Sequence, residues 1–247
     1  MNFFTASSVS DGKPALGARL NAVAILGSVA AFAGLEAAAM SFYPGGTWWD
    51  PAAHGHRFWE NFLCDLEWRV ALNGAPNPVG SRLATAAMLV LLAGLGAFWL
   101  SVPTVVEAQP PRGTSAVRWL GLTSAVGTLA VILMPSDRFG ALHGAMVLTS
   151  GVPGLLAAAL AVRVLAVGEP KPKTAAWTGG GMLAFALADF GLYAWHFLGH
   201  TPGSILGPAL EKVALVLLLA WMVLVALRAA GLGPSDPVET SRPPSAS

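Results

Sequence analysis

Six runs of mainly apolar residues constrain this chain more than anything else in it: Asn21–Phe42, Leu83–Val102, Val117–Met134, Leu142–Val167, Ala175–Leu198 and Pro208–Ala229. A stretch of about 17–25 such residues is long enough to cross the hydrocarbon of a bilayer as a helix. Inside hydrocarbon the backbone must satisfy its own hydrogen bonds, and a helix does so within one segment. The expected fold class is therefore all-α, a polytopic membrane protein built as a bundle of six transmembrane helices. Composition agrees: 55% of the 247 residues are hydrophobic and only 11% charged, against about one quarter charged in a soluble domain. Pro153 lies inside the fourth run and predicts a kink there.

The runs divide the chain into a cytoplasmic N-terminal segment (1–20), a transmembrane domain (21–230) with one long outer loop (43–82), and a C-terminal tail (231–247). The tail, "GPSDPVETSRPPSAS", is rich in Pro and Ser and is expected to be disordered and cytoplasmic. Orientation follows from the basic residues. With the N-terminus inside, Lys13, Arg19, Arg112, Arg118, Arg163, Lys171, Lys173, Arg228 and Arg242 are cytoplasmic, whereas Arg57, Arg69, Arg82, Arg138 and Lys212 are outside. That bias favours both termini in the cytoplasm of a bacterial inner or plasma membrane. A retained first helix suits it better than a cleaved signal peptide, since about nineteen residues precede the apolar run and that is long for a signal peptide.

Several functions are excluded at this level. A net charge of +1 with scattered basic residues gives no nucleic-acid footprint. The single cysteine, Cys64, permits neither an intramolecular disulfide nor a Cys-rich metal site. No internal repeat supports an inverted-repeat transporter. Membrane lipids are the expected partners, and oligomeric state has no signature in the sequence.

Polar chemistry concentrates on the outer side. All five histidines (His54, His56, His143, His196, His200) fall there, as do Glu36, Asp50, Glu60, Asp65, Glu67, Asp137, Asp189 and Glu211. Ionisable groups within a membrane are costly, so function is the first hypothesis for each. In "ADFGLYAWHFLGH", Asp189, Tyr193, His196 and His200 share one helix face. The four-residue spacing of His196 and His200 lets one face hold a metal ion, and His143 in "SDRFGALHGAM" lies at a matching depth for a third ligand. The alternative is an interfacial pair in an aromatic belt with Trp195 and Phe197, and a packed His143. Asp189, about 10 Å deeper by helical rise, is either a proton relay or a carboxyl hydrogen-bonded within the bundle.

In the outer loop, Phe58, Trp59, Phe62, Leu63, Leu66 and Val70 recur at helical spacing, which predicts an amphipathic interfacial helix. Glu60 and Asp65 on that segment could serve as a general base or metal ligand above the histidines, or belong to a simple collar. "NGAPNP" predicts a turn before the second span. His54 and His56 read as a solvated loop pair.

The pattern "FWENFLCDL" and "NGAPNP" before the second span, with "MPSDRFGALHGAM" later, resembles a large class of bacterial six-helix membrane proteins of unknown function. It is also similar to the damage-regulated autophagy modulator family, with its Asp- and Pro-containing first loop. A more distant similarity links "HFLGH" and His143 to the alkaline ceramidase and adiponectin-receptor superfamily of membrane hydrolases, although this chain has six spans rather than seven. That resemblance implies zinc on His143, His196 and His200, with Asp137, Glu60 or Asp65 managing protons during hydrolysis of a lipid amide or ester. The competing class is a non-enzymatic protein, either structural or one that binds or transports an ion or small molecule. There the outer charges form a polar cap and small residues in "WTGGGML" and "TSGVPG" bring helices together.

Overall fold

The computed structural model describes residues 16–106, 113–168, 172–199 and 203–232. Each apolar run is a helix: α1 (Leu16–Phe42), α3 (Pro78–Ser101), α4 (Thr114–Leu133), α6 (Ala141–Val167), α7 (Lys173–Gly199) and α8 (Gly207–Ala229). Two one-turn helices, α2 (Leu63–Leu66) and α5 (Ser136–Phe139), lie between them. All six long helices are long and apolar enough to cross a membrane. α3 starts five residues before its apolar run because Pro78 occupies the first helical turn, where a missing N–H costs nothing. α6 passes through Pro153 as one continuous helix.

The six helices form a closed ring in chain order: α1 packs on α3, α3 on α4, α4 on α6, α6 on α7, α7 on α8, and α8 returns to α1. Between lipid-facing helices there is little hydrophobic drive, so close approach of small residues matters. At Gly127 of α4 an added Cβ would lie 2.6 Å from the Ser150 Cβ of α6, and at Gly179 of α7 one would lie 2.6 Å from the Trp221 indole of α8. The Ser124 hydroxyl of α4 donates to the Ser150 carbonyl at 2.9 Å, tying the same pair. The small-residue packing expected from "WTGGGML" and "TSGVPG" is present.

The core is concentrated at the end of the bundle away from the long loop. Phe98 and Trp99 of α3 meet Trp221 of α8 edge-on, with ring centroids 5.0 and 6.3 Å from it, in a cluster with Val102, Val117, Ala161, Leu165 and Val225. At the opposite end the ring opens and the 43–77 loop covers it over a smaller cluster of Ala39, Tyr43, Leu66, Ala71 and Ala84.

That loop holds a helix shorter than the Phe58–Val70 spacing predicts. It is a single turn, Leu63–Leu66. Side chains capture the backbone groups that a longer helix would use internally. Asn61 Nδ2 donates to Gly46 O at 2.9 Å, Asn77 Nδ2 to the carbonyls of Leu66 and Trp68 at 3.0 Å, and Leu72 N–H donates to the Tyr43 hydroxyl at 3.2 Å. Gly45 and Gly46 make this fold possible: both have positive φ, and a Cβ at either would collide with backbone of residues 53 or 73. The turn expected at "NGAPNP" is present, closed by Ala71 N–H to Ala75 O at 2.9 Å.

Candidate functional site

The loop does not fill the open end of the ring. Between it, the start of α6, the end of α7 and the start of α8 lies a cavity of about 600 Å³. One wall is aromatic (Trp48, Trp49, Phe62, Trp68, Phe197); the polar groups are Asp65, Cys64, Ser136, His143, Asp189, Tyr193, His196 and Ser204. Asp189, Tyr193 and His196 all line this cavity, with His196 itself exposed.

His143 is buried and its ring is fixed: Nδ1 lies 2.7 Å from the Met134 carbonyl oxygen. A carbonyl only accepts, so Nδ1 carries the proton. In the neutral ring this leaves Nε2 as the lone-pair nitrogen, on a side chain that lines the cavity. A backbone carbonyl holding Nδ1 is the arrangement that orients either a general base or a metal-binding imidazole. The neighbouring Gly144 admits α7, since a Cβ there would overlap Phe197 and lie 3.1 Å from the Tyr193 hydroxyl. Tyr193 and Phe197 stack with rings 6.3 Å apart.

Asp65, 1% exposed, is held by three donors: Phe62 N–H at 2.9 Å, Trp48 Nε1 at 3.1 Å and Asn61 Nδ2 at 3.3 Å. Burial pushes its carboxyl up to about 6 against those donors, so at neutral pH it is mostly a carboxylate. Asp189 lines the cavity with no hydrogen-bond partner among the described residues, contrary to the expectation of a partner on another span. The interior carboxyl is open to whatever enters the cavity.

The remaining sequence candidates fall elsewhere. Glu60 pairs with Arg57 at 3.4 Å on the surface of the loop. Asp137 is exposed and accepts from Arg69 N–H at 3.2 Å, bracing the α4–α6 connection against the loop. Neither lines the cavity. His200 lies outside the described residues, as do residues 1–15 of the N-terminal segment and 233–247 of the tail. Among the described residues no group of three or more His, Cys, Asp or Glu side chains is close enough to hold a metal ion.

Three features escaped sequence reasoning. Trp48, Trp49 and Cys64 line the cavity without any spacing signal. His56 is not a solvated loop residue: its ring packs edge-on against Tyr43 at 5.9 Å. Burial, with help from Lys212, lowers it to about 4. Lys212 is fully buried, donating to Glu211 Oε2 and to Asn61 O, both at 2.8 Å, while Glu211 Oε2 accepts from Leu63 N–H at 3.0 Å. This network fastens the start of α8 to the loop. Glu36 of α1 is also buried, and its Oε2 has no partner among the described residues.

Fold and site together define an all-α integral membrane protein, a six-helix ring with an amphipathic cavity beneath one ordered loop. Compared with family models, curated proteins and solved structures, the chain matches none.

Proposed function

We propose that the cavity takes the polar part of an amphipathic, lipid-like molecule and hydrolyses an ester or amide bond in it on the extracytoplasmic side. One observation carries this reading: a single cavity joins an oriented imidazole and two carboxyls to an aromatic wall. Apolar walls with a few convergent polar groups are the usual form of a small-molecule site. Its place at the bundle end suits a substrate that keeps its chains in the bilayer. The basic-residue bias supports an outward-facing site with both termini cytoplasmic.

In the reaction, His143 Nε2 accepts a proton as water oxygen attacks the carbonyl carbon. The C–O or C–N bond then breaks, and the leaving group takes that proton back. Asp65, a carboxylate held by three donors, adds a fixed acceptor to the same cavity. Asp189, without an internal partner, orients the substrate or passes a proton. The similarity to metal-dependent membrane hydrolases suggests a zinc form in which His143, His196 and His200 would hold the ion, and zinc would supply a more acidic water.

The test uses detergent-purified full-length protein, a medium-chain p-nitrophenyl ester and an N-acyl sphingoid amide in mixed micelles, and elemental analysis of the same preparation. Turnover should fall by about 10²–10⁴-fold in His143→Ala if the imidazole is the base. Asp189→Asn should lower turnover while leaving thermal stability unchanged. Bound zinc lost in both His143→Ala and His196→Ala supports the metal form. Amphiphile binding without turnover would reduce the function to binding, and His143→Ala at parental activity would refute the role of that residue.

A further inference from the structure

Five basic residues lie on the loop side of the bundle, and two are accounted for. Lys212 is buried in its pair with Glu211, and Arg57 sits between Asp50 at 3.9 Å and Glu60 at 3.4 Å. Arg69, Arg82 and Arg138 form no ion pair among the described residues. They come from the loop, the first turns of α3 and the α4–α6 connection, yet all three line one cavity of about 510 Å³. It is separate from the cavity described above. Trp68 and Ser136 face the first, whereas their neighbours Glu67, Arg69 and Pro135 line the second.

Three guanidinium groups around one space repel one another unless an anion joins them. The start of α3, at Pro78, lies on the same side, and the helix dipole adds partial positive charge there. Two acids lie near. Asp137, outside the lining, is engaged with Arg69 N–H. Glu67 is 6% exposed, with Oε1 lacking a partner among the described residues. Burial first, then Asp137 and Glu211, push the Glu67 carboxyl up to about 8. It is therefore mostly protonated at neutral pH, and offers a donor instead of a repelling charge. The wall continues along α3 through Ala86 to Leu89, which is 41% exposed on a membrane span.

We propose that this second cavity binds the phosphate headgroup of an anionic lipid, held by Arg69, Arg82 and Arg138, with an acyl chain running along α3 past Ala86 and Leu89. The planar guanidinium fork matches phosphate oxygens in pairs. A free phosphate would leave the apolar end of the wall unused, which favours the lipid. This proposal does not rest on hydrolysis at the other cavity.

The full chain in detergent is given phosphatidylglycerol, phosphatidylcholine or inorganic phosphate, and bound lipid is counted by native mass spectrometry alongside thermal shifts. The parent should prefer phosphatidylglycerol. Each arginine changed to glutamine should reduce that preference by about fivefold, and Arg69→Gln, Arg82→Gln and Arg138→Gln together should abolish it. The three arginines are exposed, so the triple variant should melt with the parent in phosphatidylcholine. If it does not fold, Arg82→Gln alone gives the fivefold test. Lysine at all three positions should retain part of the preference. No phosphatidylglycerol preference in the parent, or a preference undiminished in the glutamine variants, would overturn the site. Equal stabilisation by inorganic phosphate would overturn the lipid assignment.

Discussion

Lys212→Met tests how the loop is held over the cavity. Lys212 is 0% exposed and Glu211 25% exposed, 2.8 Å apart. Lys212 Nζ also donates to Asn61 O at 2.8 Å and lies 5.7 Å from the Phe58 ring centre. Methionine fills similar volume but strands the Glu211 carboxylate without its cation and Asn61 O without its donor. Removing one member of a buried ion pair costs about 3–5 kcal/mol, and the lost carbonyl bond adds about 1 kcal/mol. Partial exposure of Glu211 places the total near the lower end. The damage is local, because it releases the loop from α8 without touching the Phe98–Trp221 core. Cys64, the only cysteine, reports on it: it is half-buried in α2, and burial holds its thiol well above the ordinary range. About 3 kcal/mol in the opening equilibrium should raise maleimide labelling of Cys64, which already lines the cavity, by at most about 10²-fold. Lys212→Met with Glu211→Gln removes both charges and keeps an acceptor for Leu63 N–H, so labelling should return most of the way to the parent rate. Labelling of Lys212→Met at the parental rate, or faster labelling in the double variant than in the single one, would refute the reasoning.

Stability should fall as pH rises from about 6.5 to 8 through Glu67. Its folded value of about 8 lies above its ordinary 4.5, so in that window the unfolded chain has lost a proton that the folded chain keeps. His56, lowered to about 4, has the opposite slope but only below 6.5, and Asp65, raised to about 6, acts only below that value. Glu67→Gln should lessen the fall in melting temperature between pH 6.5 and 8 by the share of one proton; an unchanged profile would exclude Glu67 as a source. Gly121→Ala drives a methyl into the Trp99 indole and should destabilise by about 1–3 kcal/mol, whereas Gly27, with no heavy atom within 4 Å of an added Cβ, should accept alanine without loss. Chemical unfolding of the two variants side by side checks that contrast. For topology, reporter fusions at both ends should give cytoplasmic signals, and cysteine introduced as Asp50→Cys should label from outside the cell. Labelling only after permeabilisation would reverse the orientation.

Much of the architecture was legible because its causes are local. The length of each apolar run and the need to close backbone hydrogen bonds in hydrocarbon determine six helices regardless of how they pack. Helical periodicity likewise placed Asp189, Tyr193 and His196 on one face, and a polar stripe in a membrane helix has only the interior to face. Which groups that stripe meets was decided by tertiary structure. Asp65 reaches the cavity and Glu60 does not, because Asn61, Asp65 and Asn77 side chains take over loop backbone bonds and the helix ends after one turn. The Lys212–Asn61 and Glu211–Leu63 bonds join residues 151 and 148 positions apart, and the arginine cavity joins three separate segments. No periodicity encodes such meetings. They arise when the ring closes and its open end must pair the polar groups it has taken from water.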